Sequence, residues 1–275
     1  MNSGTIAPLI VNALVSALAI VALLTGVGVA SYRARNWSIV DIFWGLSFVL
    51  VALVSFILSS GHGDPGRRLV ALAATSLWGL RLASYLYWRN HGAPEDPRYT
   101  KLMSRNKGSV VAYAIRNIYW PQGRTMWFVS LPIQAAMYQN AGLNAVGWLG
   151  VAMVVFGVGF EAIGDYQLAR FKADPSNRGK IMDQGLWSWT RHPNYFGDSC
   201  VMFGLWVLAL GHWTGLVLVI CPALMTQHLI QGSGMALTER RMTRKYGATY
   251  QAYLDRTSGF FPRPPRRLPD VMQSK

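Results

Sequence analysis

The run Ser38-Ile-Val-Asp-Ile-Phe-Trp-Gly-Leu-Ser-Phe-Val-Leu-Val-Ala-Leu-Val-Ser-Phe-Ile-Leu58 decides the class of this protein. Its one ionisable residue, Asp41, lies near the start, and the rest is apolar or small. A hydrocarbon layer of about 30 Å needs about 20 such residues at a helical rise of 1.5 Å each. Working outward, six further runs read the same way: Ile6–Ala30, Leu69–Tyr87, Val110–Tyr138, Ala145–Gly164, Tyr195–Leu210 and Thr214–Ile230. Arg116, Pro121 and Arg124 interrupt the run Val110–Tyr138. The 275 residues are 52% hydrophobic and 14% charged, against about 25% charged in a soluble domain. That balance excludes a disordered chain, an ordinary nucleic-acid-binding domain and a disulfide scaffold. Cys200 and Cys221 both fall in apolar runs, where each reads as a small hydrophobe. The expected fold is all-α: a polytopic membrane protein of seven transmembrane helices, in one domain over residues 1–275. The first run is too long for a signal peptide, with no Lys or Arg before it and no cleavage signal after it.

The basic residues sort by loop. Arg33 and Arg35 follow the first run, Arg89, Arg98, Lys101, Arg105 and Lys107 follow the third, and Arg170, Lys172, Arg178, Lys180 and Arg191 follow the fifth. The tail adds nine more, from Arg240 to Lys275, whereas the opposite loops hold only Arg67 and Arg68. Positive charge stays on the cytoplasmic side, so the amino terminus is expected outside and the carboxyl terminus in the cytoplasm. Attraction to anionic lipid explains much of the net +14. The tail from Pro262 to Pro269 reads as an extended, surface-hugging end.

Ionisable groups inside spans are costly and mark candidate sites. Asp41 opens the second run, Arg81 lies in the third, Glu161 and Asp165 close the fifth, and Asp198 opens the sixth. A purely structural reading pairs Asp41 or Asp198 with Arg81 or Arg124. These carboxylates gather at the cytoplasmic ends and do not thread the bilayer, which disfavours transport. The densest polar stretch is Gly179-Lys-Ile-Met-Asp-Gln-Gly-Leu-Trp-Ser-Trp-Thr-Arg-His-Pro-Asn-Tyr-Phe-Gly-Asp198. Pro193 sets a helix to begin near Asn194 or Tyr195, and the free N–H groups there, beside Arg191 and His192, suit an anion. Asp165 and Lys172, seven apart, share a helix face. With Arg170, that face can meet a ribose and its phosphate, or it can be a snorkelling helix end. Tyr246, Tyr250 and Tyr253 recur at helical spacing, the mark of packing or of an interfacial aromatic belt. No His or Cys stands at metal-ligand spacing, so no metal is expected. Gly157-Val-Gly-Phe-Glu-Ala162 matches a dinucleotide fingerprint but sits in an apolar run with no strand before it, so close helix packing accounts for it better.

Taken together, Asp165-Tyr-Gln…Phe171-Lys172, Gly179-Lys-Ile-Met-Asp-Gln-Gly-Leu-Trp187 and Arg191-His-Pro-Asn-Tyr-Phe-Gly-Asp198 resemble the steroid 5α-reductase family, in particular its bacterial branch, once catalogued as a domain of unknown function. Val40-Asp-Ile-Phe-Trp44, Trp78-Gly-Leu-Arg-Leu82 and Glu95-Asp-Pro-Arg-Tyr99 look like that branch too, and the likeness runs from about Asp41 to Pro262. The resemblance implies an integral membrane reductase, in a bacterial inner membrane, with its cofactor site facing the cytoplasm. It implies hydride transfer from NADPH to the 4,5 double bond of a 3-oxo-Δ4 steroid or related lipid enone. Such chemistry needs a donor at the ketone oxygen and a clamp on the nicotinamide. The family's donors, a glutamate and a tyrosine, put Asp41, Trp78 and Tyr87 in the catalytic role here. Its cofactor positions carry over to Arg81, Glu161, Asp165, Lys172, Asn194 and Asp198, joined by Arg191, His192 and Tyr195 of the loop and by Glu239, Arg240 and Tyr253 of the tail. The implied partners are the lipid substrate and the bilayer, without nucleic acid or an obligatory protein partner. The rival resemblance is to S-adenosylmethionine-dependent membrane methyltransferases of the isoprenylcysteine or phospholipid type, which share the Arg-His-Pro-x-Tyr loop and the Tyr-rich tail. Lys180-Ile-Met-Asp-Gln-Gly-Leu-Trp187 and the basic loop favour the reductase, since S-adenosylmethionine carries no phosphate.

Overall fold

A computed structural model describes residues 3–211, 213–232 and 234–266, and these are almost entirely helical. Arg267 and Lys275, counted among the tail cations, and Pro269 lie outside them. The α-helices are α1 (Ser3–Ala34), α2 (Phe43–Leu58), α3 (Pro65–Asn90), α4 (Pro97–Met103), α5 (Val110–Ala114), α6 (Trp120–Val129), α7 (Leu131–Met137), α8 (Ala145–Ala173), α9 (Leu186–Trp189), α10 (Pro193–Val207), α11 (Trp213–Val217), α12 (Ile220–Gln231), α13 (Met235–Tyr246) and α14 (Ala248–Arg256). Five helical stretches are long and apolar enough to cross a membrane: Ile6–Ala34, Trp37–Leu58, Pro65–Asn90, Ala145–Ala173 and Gly215–Tyr246.

Three of the seven expected runs take a different form, the seventh, Thr214–Ile230, being divided into α11 and α12. Val110–Tyr138 becomes α5, a π-helical turn over Ile115–Tyr119, α6 and α7. Pro132 stands in the first turn of α7, where a missing N–H is least costly, and restarts the run after the turn at Ser130, whereas Pro121 directly follows the π-helical turn with no break in the helix. The sixth run forms α10, whose 15 residues reach only about 22 Å.

The chain divides into two compact units. The first comprises Met1–Ala152 and Gly204–Cys221. Its interior inverts the pattern of a soluble protein. On α1, Asn12, Ser16, Ile20, Leu24, Val27 and Ser31 recur every three or four residues and are buried, while Ile10, Leu14, Leu18 and Val21 face outward. Asn12 Nδ2 donates to Ser55 Oγ of α2 and to Gln134 Oε1 of α7, each at 3.0 Å. Such bonds discriminate between helix faces where lipid makes apolar surface neutral. Helices α2 and α3 meet backbone to backbone: a Cβ on Gly79 would stand 2.5 Å from the Gly45 carbonyl oxygen.

Arg67 and Arg68, which the sequence places in the outer loop, are buried at the head of α3. Arg67 donates to the carbonyls of Ala141 and Gly142 at 2.9 Å and of Leu208 at 2.6 Å. Arg68 donates to Ser59 Oγ at 2.8 Å and to the Phe56 carbonyl at 2.5 Å. Phe56, Ser59 and Leu208 stand at the carboxyl ends of α2 and α10, where unpaired carbonyls and the helix dipole favour a cation, and Ala141 and Gly142 lie in the loop between α7 and α8.

The second unit comprises Met153–Phe203 and Pro222–Lys275. Here α8 and α10 pack through Gly157 and Gly197: a Cβ on either would lie 2.5 to 2.7 Å from the other's carbonyl oxygen. The fingerprint-like Gly157…Ala162 is therefore helix packing. Gly159, by contrast, has no atom within 4 Å of its own ideal Cβ position. The expected tyrosine stripe is split. Gly247, at φ 55°, turns the chain between Tyr246 on α13 and Tyr250 and Tyr253 on α14. The last two are buried against each other, ring centroids 5.8 Å apart.

Candidate functional site

In the first unit, Asp41 lies in a 3₁₀ turn, Trp37–Ile42, which Asn36 caps by accepting from the Ser38 N–H. Its structural partner is neither Arg81 nor Arg124. Asp41 Oδ2 pairs with Arg98 Nη2 at 2.9 Å, and Oδ1 accepts from the Tyr99 hydroxyl at 2.5 Å. Gln122 Nε2 donates to that hydroxyl at 3.3 Å while its Oε1 accepts from Trp44 Nε1 at 2.7 Å. Glu95 accepts from the Trp37 N–H at 2.6 Å. Two stretches far apart in sequence, Val40–Trp44 and Glu95–Tyr99, are thereby one polar cluster. Burial, followed by the Asp41 carboxylate, pushes the Tyr99 hydroxyl above the usual tyrosine range.

Trp78, one turn beyond Ala74 on α3, is 1% exposed and packs edge-on against Phe48, centroids 5.2 Å apart. Its indole Nε1 is buried and meets no acceptor among the described residues. Tyr87 is nine residues on, half a turn around the helix, and 57% exposed, so the structure does not bring it to Trp78. Arg81 lays its guanidinium over the Tyr85 ring at 5.3 Å. A cavity of about 660 Å³ opens between α1 and residues 111–127, with Ile20, Leu24, Tyr32, Trp37, Tyr119 and Trp127 among its walls.

In the second unit the glycine contact of α8 with α10 sets the site. Glu161 and Asp165, one turn apart on α8, and Asp198, one turn after Asn194 on α10, are all buried. An added Cβ on Gly197 would stand 2.9 Å from that of Glu161, and one on Gly164 would stand 3.6 Å from the Asn194 amide nitrogen. The three carboxylates and the start of α10 thus share one region. Helix α10 begins at Pro193, within two residues of its expected start. Lys172 and Arg170 close α8, Lys172 exposed where Asp165 is buried. No group of three His, Cys, Asp or Glu among the described residues could hold a metal.

The polar loop is stapled down. Leu186 donates its N–H to Gln167 Oε1 at 3.0 Å, and Trp187 Nε1 donates to the Gly164 carbonyl at 2.9 Å. Tyr253 donates to the Trp187 carbonyl at 2.6 Å, and Arg256 pairs with Asp183. Arg191 Nε meets Glu239 Oε1 at 2.8 Å, Nη1 donates to the carbonyls of Leu254 and Thr257, and its N–H donates to Ser258. His192 Nε2 lies 3.2 Å from the same Glu239 oxygen, its ring stacked on Tyr195 at 5.2 Å. Burial holds the His192 imidazole below its ordinary value, against the opposing pull of Glu239. Arg191, His192, Glu239 and Tyr253 therefore join loop to tail, while Arg240 is exposed on α13.

A family profile matches residues 28–257, described as a protein of unknown function, DUF1295. The chain belongs to that family. The match takes in both units' polar clusters, from the Asp41 turn to Thr257. A relative in fission yeast, the uncharacterized protein C594.04c of Schizosaccharomyces pombe, is 27% identical over 267 residues, covering 85% of this chain and 74% of the relative. No solved structure matches.

Tyr99, Arg98 and Gln122 are site residues that sequence reasoning did not single out, although Arg98 and Tyr99 stand in a quoted motif. The available signal was the charge-dense Glu95-Asp-Pro-Arg-Tyr99 beside a lone intramembrane carboxylate.

Proposed function

We propose that this DUF1295 protein is an NADPH-dependent membrane reductase of the 4,5 double bond of a 3-oxo-Δ4 steroid or related lipid enone. In this reading it is one domain that crosses a bacterial inner membrane seven times, with its amino terminus outside. The observation that carries the reading is the Trp78 indole. It is a donor-only group, buried and without an acceptor among the described residues, and buried donors in native proteins are almost always paired. A ligand carbonyl oxygen is the acceptor it suits, and such a donor contributes most when negative charge grows on that oxygen. Asp41 with Tyr99 is the acid–base pair of the same unit; the apolar cavity of that unit, whose walls include none of Trp78, Asp41 and Tyr99, has a volume typical of small-molecule sites.

NADPH, when bound, supplies a hydride to the carbon β to the ketone. The donor set of the second unit suits it. Glu161, Asp165 and Asp198 are acceptors fit for ribose hydroxyls and a carboxamide NH₂. Asn194, with Arg170 and Lys172, suits phosphate. Arg191, His192, Glu239 and Tyr253 hold the loop in shape around these groups, and Tyr195 and Arg240 complete the set of that unit.

Purified protein incubated with progesterone and NADPH deuterated at the transferable position should give a product heavier by one deuterium and one hydrogen. Trp78→Phe should slow that turnover about 100-fold while NADPH still raises the melting temperature. The reading is overturned if no product forms and S-adenosylmethionine, rather than NADPH, stabilises the protein.

A further inference from the structure

Helix α13 carries two kinds of chemistry on opposite sides. Its inward side presents Glu239, which grips Arg191 and His192, and half-buried Met242 and Tyr246 three and seven residues on. Its outward side presents Arg241, Arg244 and Lys245, all exposed, bordered by Arg240. No acidic side chain lies on that outward side, because the one acid of the helix, Glu239, is turned in. The helix begins at Met235, after α12 ends at Gln231, and its three outward cations lie in the last two turns of the apolar stretch Gly215–Tyr246.

We propose that the outward face of α13 docks on the anionic phospholipid headgroups of the leaflet in which that stretch ends, and that this contact holds Glu239 on Arg191 and His192. The argument is charge complementarity at a fixed place. A cationic residue near an anionic leaflet is drawn to it, and the attraction fades within a Debye length. These three residues share the side of the helix opposite the one that packs. A rigid helix transmits the contact: as headgroups hold the outer face, the inner face stays on the loop that leads into α10. The proposal does not rest on the reductase reading, and Arg240, part of that reading, is left out of its test.

The test uses full-length protein in nanodiscs of phosphatidylcholine alone or with one third phosphatidylglycerol, read by hydrogen exchange. Anionic discs should slow exchange of the α13 amides and of the Arg191 amide, which donates to Ser258, on the order of tenfold. High salt should reverse the effect. The triple substitution Arg241→Gln, Arg244→Gln, Lys245→Gln should exchange like wild type in neutral discs and lose the response to phosphatidylglycerol. Should that variant not fold, wild type in detergent decides the matter: dihexanoyl phosphatidylglycerol should protect α13, and inorganic phosphate at equal charge should not. Equal exchange in both disc types, protection that survives the triple substitution, or equal protection by inorganic phosphate would each overturn the proposal.

Discussion

At the scale of single residues, the structure shows where charges are used up. Asp41 is an acceptor twice over, from Arg98 and Tyr99, and Tyr99 spends its one proton on that bond. Any donation by this pair requires a proton to enter it. Trp78 needs none, since its N–H is fixed. His192 makes a further distinction measurable. Its folded value lies below the unfolded value of about 6.5, chiefly through burial. The unfolded state therefore binds the proton first, and stability is lost as pH falls through 6.5 toward the folded value. Between pH 7.5 and 5.5 the melting temperature should fall. His192→Gln should remove that part of the slope and leave the plateau above pH 7.5 within a few degrees. A slope unchanged in the variant would assign it to other groups.

At the scale of elements, two glycines decide more than any charge. Gly157 and Gly197 let α8 and α10 approach to backbone contact, and that approach brings Glu161, Asp165, Asp198 and the α10 start into one region. A side chain at either position must separate the helices. Overpacking of this kind costs about 1–3 kcal/mol where neighbours can shift, and more against backbone, which cannot. Gly197→Leu should lower the melting temperature by several degrees and abolish stabilisation by NADPH, while Gly159→Leu, in open space, should leave both unchanged. Equal effects of the two substitutions would show that the contact is not what builds the region. The α13–α14 turn teaches a related lesson. Spacing alone put three tyrosines on one stripe, whereas Gly247 at positive φ separates the first from the other two.

At the scale of the whole molecule, charge asymmetry argues for orientation, and the structure sharpens the count. Arg67 and Arg68, the two exceptions, are buried against helix-end carbonyls and do not contribute to the outer surface. In the proposed topology every remaining loop cation faces the cytoplasm. Cysteines placed singly at Ser104 and Ser176, in a background lacking Cys200 and Cys221, should react with an impermeant maleimide only from the cytoplasmic face. One placed at His62 should react only from the opposite face. Labelling of His62→Cys and Ser104→Cys from the same face would break the seven-crossing, amino-terminus-out topology.

The sequence by itself determined the class of this protein and the identity of its polar stretches. Long apolar runs and a one-sided distribution of Lys and Arg reflect the bilayer, a solvent that acts on each segment independently, so they can be read one segment at a time. The start of α10 was legible for the same reason: Pro193 acts on its own turn. Partners were another matter. That Asp41 meets Arg98 and Tyr99, that Arg191 and His192 close on Glu239, and that Asn12 reaches Ser55 and Gln134 are contacts between residues 43 to 122 positions apart. Local spacing carries no information about such distances. Only helix packing, set by where glycines allow backbones to touch and where buried polar groups must find one another, decides them.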